Sequence, residues 1–111
     1  PHLRQAGWGR ILLVGSKAVE EAPPGQAAFN IAKAGVVALT KTVAQELEGS
    51  GVTANCLMPS VIDTPATRAA LPYADYVHWP TPEEIADVAA FLLSEESRVM
   101  NGATVRVYGR A

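Results

Sequence analysis

Two short, largely apolar runs on either side of a long helical pattern constrain the fold of this 111-residue chain most strongly. Residues 10–15 (RILLVG) and 52–58 (VTANCLM) are too short for helices and are followed by Ser16 and Pro59. Such runs are typical of strands that are covered on both faces, as in parallel sheets. Residues 103–108 alternate in character after an Asn-Gly turn, which predicts a third strand.

Helical patterns occupy the segments between these strands. Residues 26–48 are rich in alanine, and Gly49, Ser50 and Gly51 predict where the helix ends. Its apolar stripe is predicted to comprise Val36, Leu39, Val43 and Leu47. A second helix is predicted to start at the Thr81-Pro82-Glu83-Glu84 sequence, because threonine is a good N-cap and proline suits the first helical position.

Three segments carry less regular patterns. Residues 1–7 resemble the tail of a helix that ends at a glycine cap, which favours further sequence upstream. Residues 17–25 predict a loop. Residues 60–81 predict a long irregular segment of the kind that forms a lid or a substrate loop.

The order of elements predicts one α/β domain over residues 1–111. Strand, helix, strand, lid, helix and strand follow one another, which favours a parallel sheet with right-handed crossovers. About three strands and two helices make only the C-terminal portion of a Rossmann-like, doubly wound parallel sheet. The leading edge of such a sheet would expose apolar surface unless something covers it.

Composition excludes several functional classes. The formal charge is -2 and the basic residues form no patch, so no nucleic acid is expected as a partner. No apolar stretch is long enough to predict a membrane span. One cysteine, Cys56, fits a buried position and a reducing, cytoplasmic setting, and one cysteine with two separated histidines predicts no metal site.

Candidate functional residues gather at the carboxyl ends of the strands, where open α/β sheets bind ligands. Ser16 follows the first strand and residues 59–64 follow the second. On the long helix, Phe29 and Lys33 are four residues apart and share a face. The pattern alone leaves plainer alternatives open: a strand-end hydroxyl for Ser16, a solvated side chain for Lys33 and a turn cap for Thr64. Other surface residues are predicted to be solvated: Lys17, Glu20, Glu21, Glu95 and Glu96.

Several motifs together resemble the C-terminal half of short-chain dehydrogenases/reductases. The resemblance covers nearly the whole chain, in order and at the right spacing. Its segments are residues 9–16 (GRILLVGS), 25–35 (GQAAFNIAKAG), 52–55 (VTAN) leading to Pro59, 81–86 (TPEEIA) with 90–94 (AFLLS), and 101–103 (NGA).

The resemblance implies an oxidoreductase that uses NAD or NADP and a small carbonyl or alcohol substrate. It assigns the catalytic serine to Ser16 and the catalytic lysine to Lys33. In the family, a tyrosine four residues before the lysine exchanges a proton with the substrate oxygen, but this chain has Phe29. Cofactor contacts are implied for Lys33 and for residues after the second strand: Pro59, Ser60, Ile62 and Thr64.

Departures from the family pattern shape the remaining expectations. Ser60 stands where most members have glycine, and residues 59–75 resemble a sub-branch that includes dihydropteridine reductase. The N-terminal dinucleotide-binding half is expected upstream. Because Phe29 has no proton to give, a nucleotide-binding pseudoenzyme or a structural protein is the alternative function, and neither Tyr73 nor Tyr76 is expected to replace the hydroxyl. Relatives imply a homo-oligomer, either a dimer or a tetramer.

Overall fold

A parallel three-stranded sheet organises the protein. The computed structural model describes residues 1–74 and 78–109. Strands β1 (Gly9–Val14), β2 (Val52–Pro59) and β3 (Thr104–Val107) lie in the order β1-β2-β3. Gly9 of β1 is opposite Val52, and Cys56 of β2 is opposite Thr104. The predicted parallel sheet is confirmed, with β2 at its centre.

The central strand forms most of the core. Residues 52–58 are all buried, as expected of a strand with neighbours on both edges. Thr53 and Asn55 are the polar residues of this run, and Thr53 Oγ1 is buried without a hydrogen-bond partner in the described part of the chain. Asn55 Nδ2 donates to Met100 O (3.0 Å), and its Oδ1 accepts from Ala103 N (2.9 Å). These bonds fix the chain as it enters β3.

Cys56 is fully buried on the central strand, which confirms the prediction of a small core residue. Burial raises the pKa of its thiol above the ordinary value. The thiol therefore contributes packing to the core and is shielded from reagents in water.

Five helices and one 3-10 turn surround the sheet in the described part of the chain. The helix predicted at the start of the chain and the helix predicted to begin at Thr81 are both confirmed. Gly7 adopts a left-handed conformation (φ 72°) after the first helix, and Thr81 caps the last one by accepting from Glu84 N. The helices are α1 (His2–Ala6), α2 (Ala18–Glu21), α3 (Ala27–Glu46), α4 (Pro65–Ala70) and α5 (Pro82–Leu92), with the 3-10 turn at Glu95–Ser97.

Two of these helices lie where the sequence predicts loops. Helix α2 is a single turn in residues 17–25, and α4 lies within residues 60–81. Helix α4 has no buried residues, so it carries no apolar stripe for a periodicity argument to detect. Its start is nevertheless well defined, because Thr64 forms a capping box with Thr67 and Pro65 occupies the first helical position.

The buried face of α3 differs from the predicted stripe. Thr40 and Ala44 are its buried residues, whereas Leu39 is 51% exposed. The hydroxyl of Thr40 is satisfied within the helix, because Oγ1 donates to Val36 O at 2.8 Å. This bond makes a polar residue suitable for the sheet-facing side, which the apolar pattern alone does not indicate.

Helices α3 and α5 cover opposite faces of the sheet. Ile11 of β1 lines a groove with Val43 and Leu47 of α3, whereas Arg10 donates from Nε to Ser94 O, just after α5, at 2.9 Å. Neighbouring residues of a strand point to opposite faces. Each strand in the order β1-β2-β3 is added on the same side of the one before it. A crossover through α3 on one face and a crossover through α5 on the other face therefore have opposite hands. The prediction that both crossovers are right-handed is wrong.

The length and polarity of the helices bear on whether any of them could cross a membrane. Among the residues that the structure describes, no helix combines the length and apolar character needed to cross a membrane.

Candidate active site

Ser16 lies at the carboxyl end of β1, where backbone bonds to β2 continue past the strand. Gly15 N donates to Leu57 O (2.8 Å) and Lys17 N donates to Pro59 O (2.9 Å), so the segment that carries Ser16 is fixed from both sides. The Ser16 Oγ accepts from Ala18 N at 3.2 Å. Its own proton remains available, so the hydroxyl is able to donate to a substrate oxygen.

Lys33 reaches the same edge from the first half of α3. Its Nζ donates to Val14 O, at the end of β1, over 3.3 Å. An ammonium has three protons, so this bond leaves two donors for a ligand. The bond is solvent-exposed, so Lys33 lies at the carboxyl edge of the sheet and its ammonium remains in reach of water.

Phe29 lies one turn before Lys33 and presents its ring to the ammonium. The Nζ of Lys33 is 5.9 Å from the ring centroid, within the range of a cation–π contact. The ring is 46% exposed, so its surroundings leave room for a further atom. The structure thus places an aromatic ring without a hydroxyl beside the predicted catalytic lysine.

Asn30 is a residue of this region that sequence reasoning missed. Its Nδ2 donates to Pro23 O at 3.0 Å and ties the loop after α2 to the start of α3. Its Oδ1 is buried and has no hydrogen-bond partner in the described part of the chain. Asn30 therefore fixes the loop that separates Ser16 from Phe29.

Of the predicted cofactor residues, Pro59 ends β2, and Ser60 and Ile62 follow it at the same end of the sheet. Pro59 O accepts from Lys17 N, which joins this segment to the one that carries Ser16. The segment is anchored further on, because Asp63 N donates to Pro80 O (2.8 Å) and the Asp63 carboxylate accepts two bonds from Arg68. The Arg68 guanidinium holds the pKa of Asp63 below its ordinary value.

Thr64 is a cap, as the plainer alternative predicts, but it caps helix α4 and not an isolated turn. Its Oγ1 accepts from Thr67 N (3.1 Å) and lies 3.0 Å from Thr67 Oγ1. Thr67 Oγ1 in turn lies 2.6 Å from Ile62 O. If Thr67 gives its single proton to Ile62 O, Thr64 must donate to Thr67, so its hydroxyl is committed to α4.

Neither Tyr73 nor Tyr76 is expected to replace the missing hydroxyl. The Tyr73 side chain is fully exposed and is not fixed near Lys33. Tyr76 lies outside the described residues. Among the described residues, no group of three or more His, Cys, Asp or Glu is arranged to hold a metal ion.

A polar cluster between α2 and the end of β3 corrects the prediction that Glu20 is merely solvated. The Glu20 carboxylate accepts from Arg106 Nε (2.9 Å) and Nη2 (2.7 Å) and from the Tyr108 hydroxyl. The bonds from Arg106 and Tyr108 lower the pKa of Glu20 to about 2, and burial with the Glu20 contact raises the pKa of Tyr108 to about 12. The partners are 86 and 88 residues away, so no local pattern reveals them.

Glu95 is the second predicted solvated residue with fixed partners. Its carboxylate accepts from Trp8 Nε1 and lies 3.8 Å from Arg10 Nη2. Arg10 also stacks on Trp8, with 4.9 Å from the guanidinium carbon to the ring centroid. This cluster lies at the amino end of β1, away from Ser16, and is a structural contact.

A parallel sheet with Ser16 and Lys33 at its carboxyl edge is the architecture of the C-terminal part of a Rossmann-type domain. A family model described as enoyl-(acyl carrier protein) reductase matches residues 1–109. The chain belongs to the short-chain dehydrogenase/reductase family.

Similar proteins are reductases and dehydrogenases. The 3-oxoacyl-[acyl-carrier-protein] reductase MabA of Mycobacterium tuberculosis is 36% identical over 110 residues, which cover 92% of this chain and 44% of MabA. The (3R)-3-hydroxyacyl-CoA dehydrogenase of Rattus norvegicus is 37% identical over 114 residues, covering 93% of this chain and 43% of that protein. A crystal structure of TT0495 protein from Thermus thermophilus superimposes with a TM-score of 0.85 at 33% identity, over 98% of this chain and 51% of that one.

The chain thus spans about half the length of the relatives that it matches. The family and the Rossmann-like fold are confirmed. The likeness to dihydropteridine reductase stays a prediction, since the relatives described above carry other names.

Proposed function

We propose that the protein is an NAD(P)-dependent oxidoreductase that transfers hydride to or from a small carbonyl or alcohol substrate. The observation that carries the proposal is the placement of Lys33, whose ammonium is fixed on Val14 O at the edge that also carries Ser16. Membership of the family and relatives that are themselves reductases and dehydrogenases support it.

The donors at this edge fit a nicotinamide cofactor. Lys33 keeps two protons for the ribose hydroxyls, and the hydroxyl of Ser16 keeps one for the substrate oxygen. Residues 59–62 run along the same edge and would line the nicotinamide, with Thr64 contributing only if its bond to Thr67 is exchanged. When bound, the reduced nicotinamide supplies the hydride for carbonyl reduction.

Proton transfer is the weak step of this site. A carbonyl oxygen that receives hydride on carbon must also gain a proton, and Phe29 offers none. Ser16 and Lys33 then polarise and orient the oxygen, while the proton comes from Lys33 or from water. General acid catalysis contributes about 10²–10⁴-fold, so we expect slow turnover in the unaltered protein.

A nucleotide-binding pseudoenzyme is the second candidate, and Phe29 is the observation that favours it. Calorimetry with NADH and NADPH, together with an assay of cofactor oxidation, separates the two functions. Turnover of a short 3-oxoacyl thioester, a substrate class taken from the names of the relatives, supports the enzyme. Binding without turnover, in the protein and in its Phe29→Tyr variant, supports the pseudoenzyme.

We also propose that an N-terminal half completes the dinucleotide site. The relatives are about twice as long as this chain, and β1 has a free edge at which Val14 is 48% exposed. A parallel strand on that edge would satisfy its backbone groups. The intact mass of the purified protein tests this proposal directly.

The outer side of α3 supports a homo-oligomer. Ile31 is 72% exposed and Leu39, two turns further along, is 51% exposed, so the described part of the chain covers these two large apolar side chains only in part. We propose a dimer or tetramer that buries them. Sedimentation of the protein and of an Ile31→Glu variant tests it: a monomer in both would contradict the proposal.

A further inference from the structure

Helix α2 is too short to be stable by itself. It has four residues, and its N-cap, Lys17, provides no side-chain cap. Isolated helices of this length do not persist in water, so contacts with the rest of the protein must maintain it. Ser16 lies one residue before the N-cap, Lys17, and Val19 N donates to Ser16 O at 3.0 Å. The position of α2 and the position of Ser16 are therefore linked.

The end of α2 is also strained. Ala22 has φ 46° and ψ 56°, a left-handed conformation that residues with a Cβ rarely adopt. Strained residues of this kind persist when their surroundings fix them from several directions. Ala22 N donates to Ala18 O at 2.8 Å, but this single bond lies within the same turn. A further contact is needed to account for the conformation.

The carboxylate of Glu20 makes contacts outside the turn, in addition to the bond from Asn30 Nδ2 to Pro23 O just after Ala22. It accepts bonds from Arg106 and Tyr108, which are two residues apart and therefore on one side of the chain as it leaves β3. Tyr108 is fixed in turn, because its hydroxyl lies 2.9 Å from Met58 Sδ and the Lys17 ammonium is 5.1 Å from its ring centroid. Hydrogen bonds to a charged acceptor are stronger than neutral ones, and solvent weakens this pair because its side chains are 36% and 64% exposed.

We propose that Glu20 is a positioning residue, which clamps α2 to Arg106 and Tyr108 and thereby fixes the backbone that carries Ser16. The clamp is Glu20, Arg106 and Tyr108, and none of its members is placed in contact with the substrate. The consequence for catalysis rests on the proposed function, because it assumes that Ser16 orients a substrate oxygen. The consequence for the structure does not.

Amide hydrogen exchange of the full-length protein tests the clamp without any assay of activity. In a Glu20→Gln variant, exchange of the amides of residues 19–22 should be faster by about fivefold, while the amides of β2 are unchanged. Glu21→Gln is the matched control, since Glu21 is the exposed neighbour on the same turn. Equal exchange in Glu20→Gln and Glu21→Gln would overturn the proposal.

A second variant removes the other side of the clamp. Arg106→Gln should accelerate the same amides, and the double variant should exchange little faster than either single one, because both changes break one interaction. Additive effects would show that Glu20 and Arg106 act separately, which contradicts a clamp.

The catalytic consequence is measured in the Phe29→Tyr background. Adding Glu20→Gln should lower kcat several-fold and leave the dissociation constant of the cofactor unchanged. If exchange responds but no variant turns over, the clamp stands and the proposed function fails. If turnover is present and kcat is insensitive to Glu20→Gln, the link from the clamp to Ser16 is refuted.

Discussion

Replacing Phe29 by tyrosine should convert a slow or silent site into an active one. The scaffold requires no other change, since the ring is 46% exposed and Lys33 Nζ lies 5.9 Å from its centroid. General acid–base catalysis contributes about 10²–10⁴-fold. At about 1.4 kcal/mol for each tenfold, this corresponds to about 3–5 kcal/mol of transition-state stabilisation.

The lysine should supply part of this gain. If the phenolate oxygen lay as far from the ammonium as the ring centroid does, about 6 Å, the ammonium would stabilise it by about 0.7 kcal/mol in water and by about 3 kcal/mol at an effective dielectric constant of about 20. The favourable charge interaction lowers the pKa of the new phenol and makes it a better proton shuttle near neutral pH. Replacing Lys33 by methionine in the Phe29→Tyr variant should therefore remove much of the gain.

The assay is the loss of nicotinamide absorbance with a short 3-oxoacyl thioester, measured in parallel with cofactor affinity. Phe91→Tyr is the matched control, because Phe91 is also 46% exposed and lies on α5. It adds a hydroxyl elsewhere on the surface and should have no effect. If Phe29→Tyr binds the cofactor as tightly as the unaltered protein yet turns over no faster, the assignment of position 29 is wrong.

Three further outcomes concern stability and reactivity. Thr81→Ala should lower the free energy of unfolding by about 0.5–2 kcal/mol in urea titrations, because it removes the α5 cap. Thr42→Ala, at an exposed position of α3, is the control and should change the free energy of unfolding little. Gly109→Ala should lower the free energy of unfolding more than Gly49→Ala does. Both glycines have positive φ, but only at Gly109 would the added Cβ meet another atom, His78 O, at 2.8 Å. Equal losses of stability in the two variants would contradict a steric contribution at Gly109. Cys56 should react with a thiol reagent only as fast as the protein unfolds, and rapid labelling of the native protein would contradict its burial.

Local patterns predict those elements whose stabilising contacts are themselves local or periodic. Strand β2 and helix α5 are examples: a buried run ends at Pro59, and a Thr-Pro-Glu-Glu start precedes an apolar stripe. Helix α4 has the same Thr-Pro start but no apolar stripe. Hydrophobic periodicity therefore does not predict this helix, although its Thr-Pro cap can be recognised in the sequence.

The site is predictable in its residue types but not in its contacts. Family resemblance identifies Ser16 and Lys33, yet the bond from Lys33 to Val14 O depends on how α3 packs across the sheet. The contact between Glu20 and Arg106 spans 86 residues and exists only because β3 ends beside α2. Charged residues in loops look alike in a sequence, and tertiary structure alone distinguishes a solvated glutamate from a clamped one.

The exposed ring of Phe29 has a consequence for how the chain can change over generations. A phenylalanine codon becomes a tyrosine codon by one base substitution, and the serine and lysine that a tyrosine would work with are already in place. Because the ring is only half covered, the added oxygen would disturb no core packing and would carry little penalty in stability. A single mutation at position 29 would therefore add or remove a hydroxyl beside Lys33 without passing through an unstable intermediate.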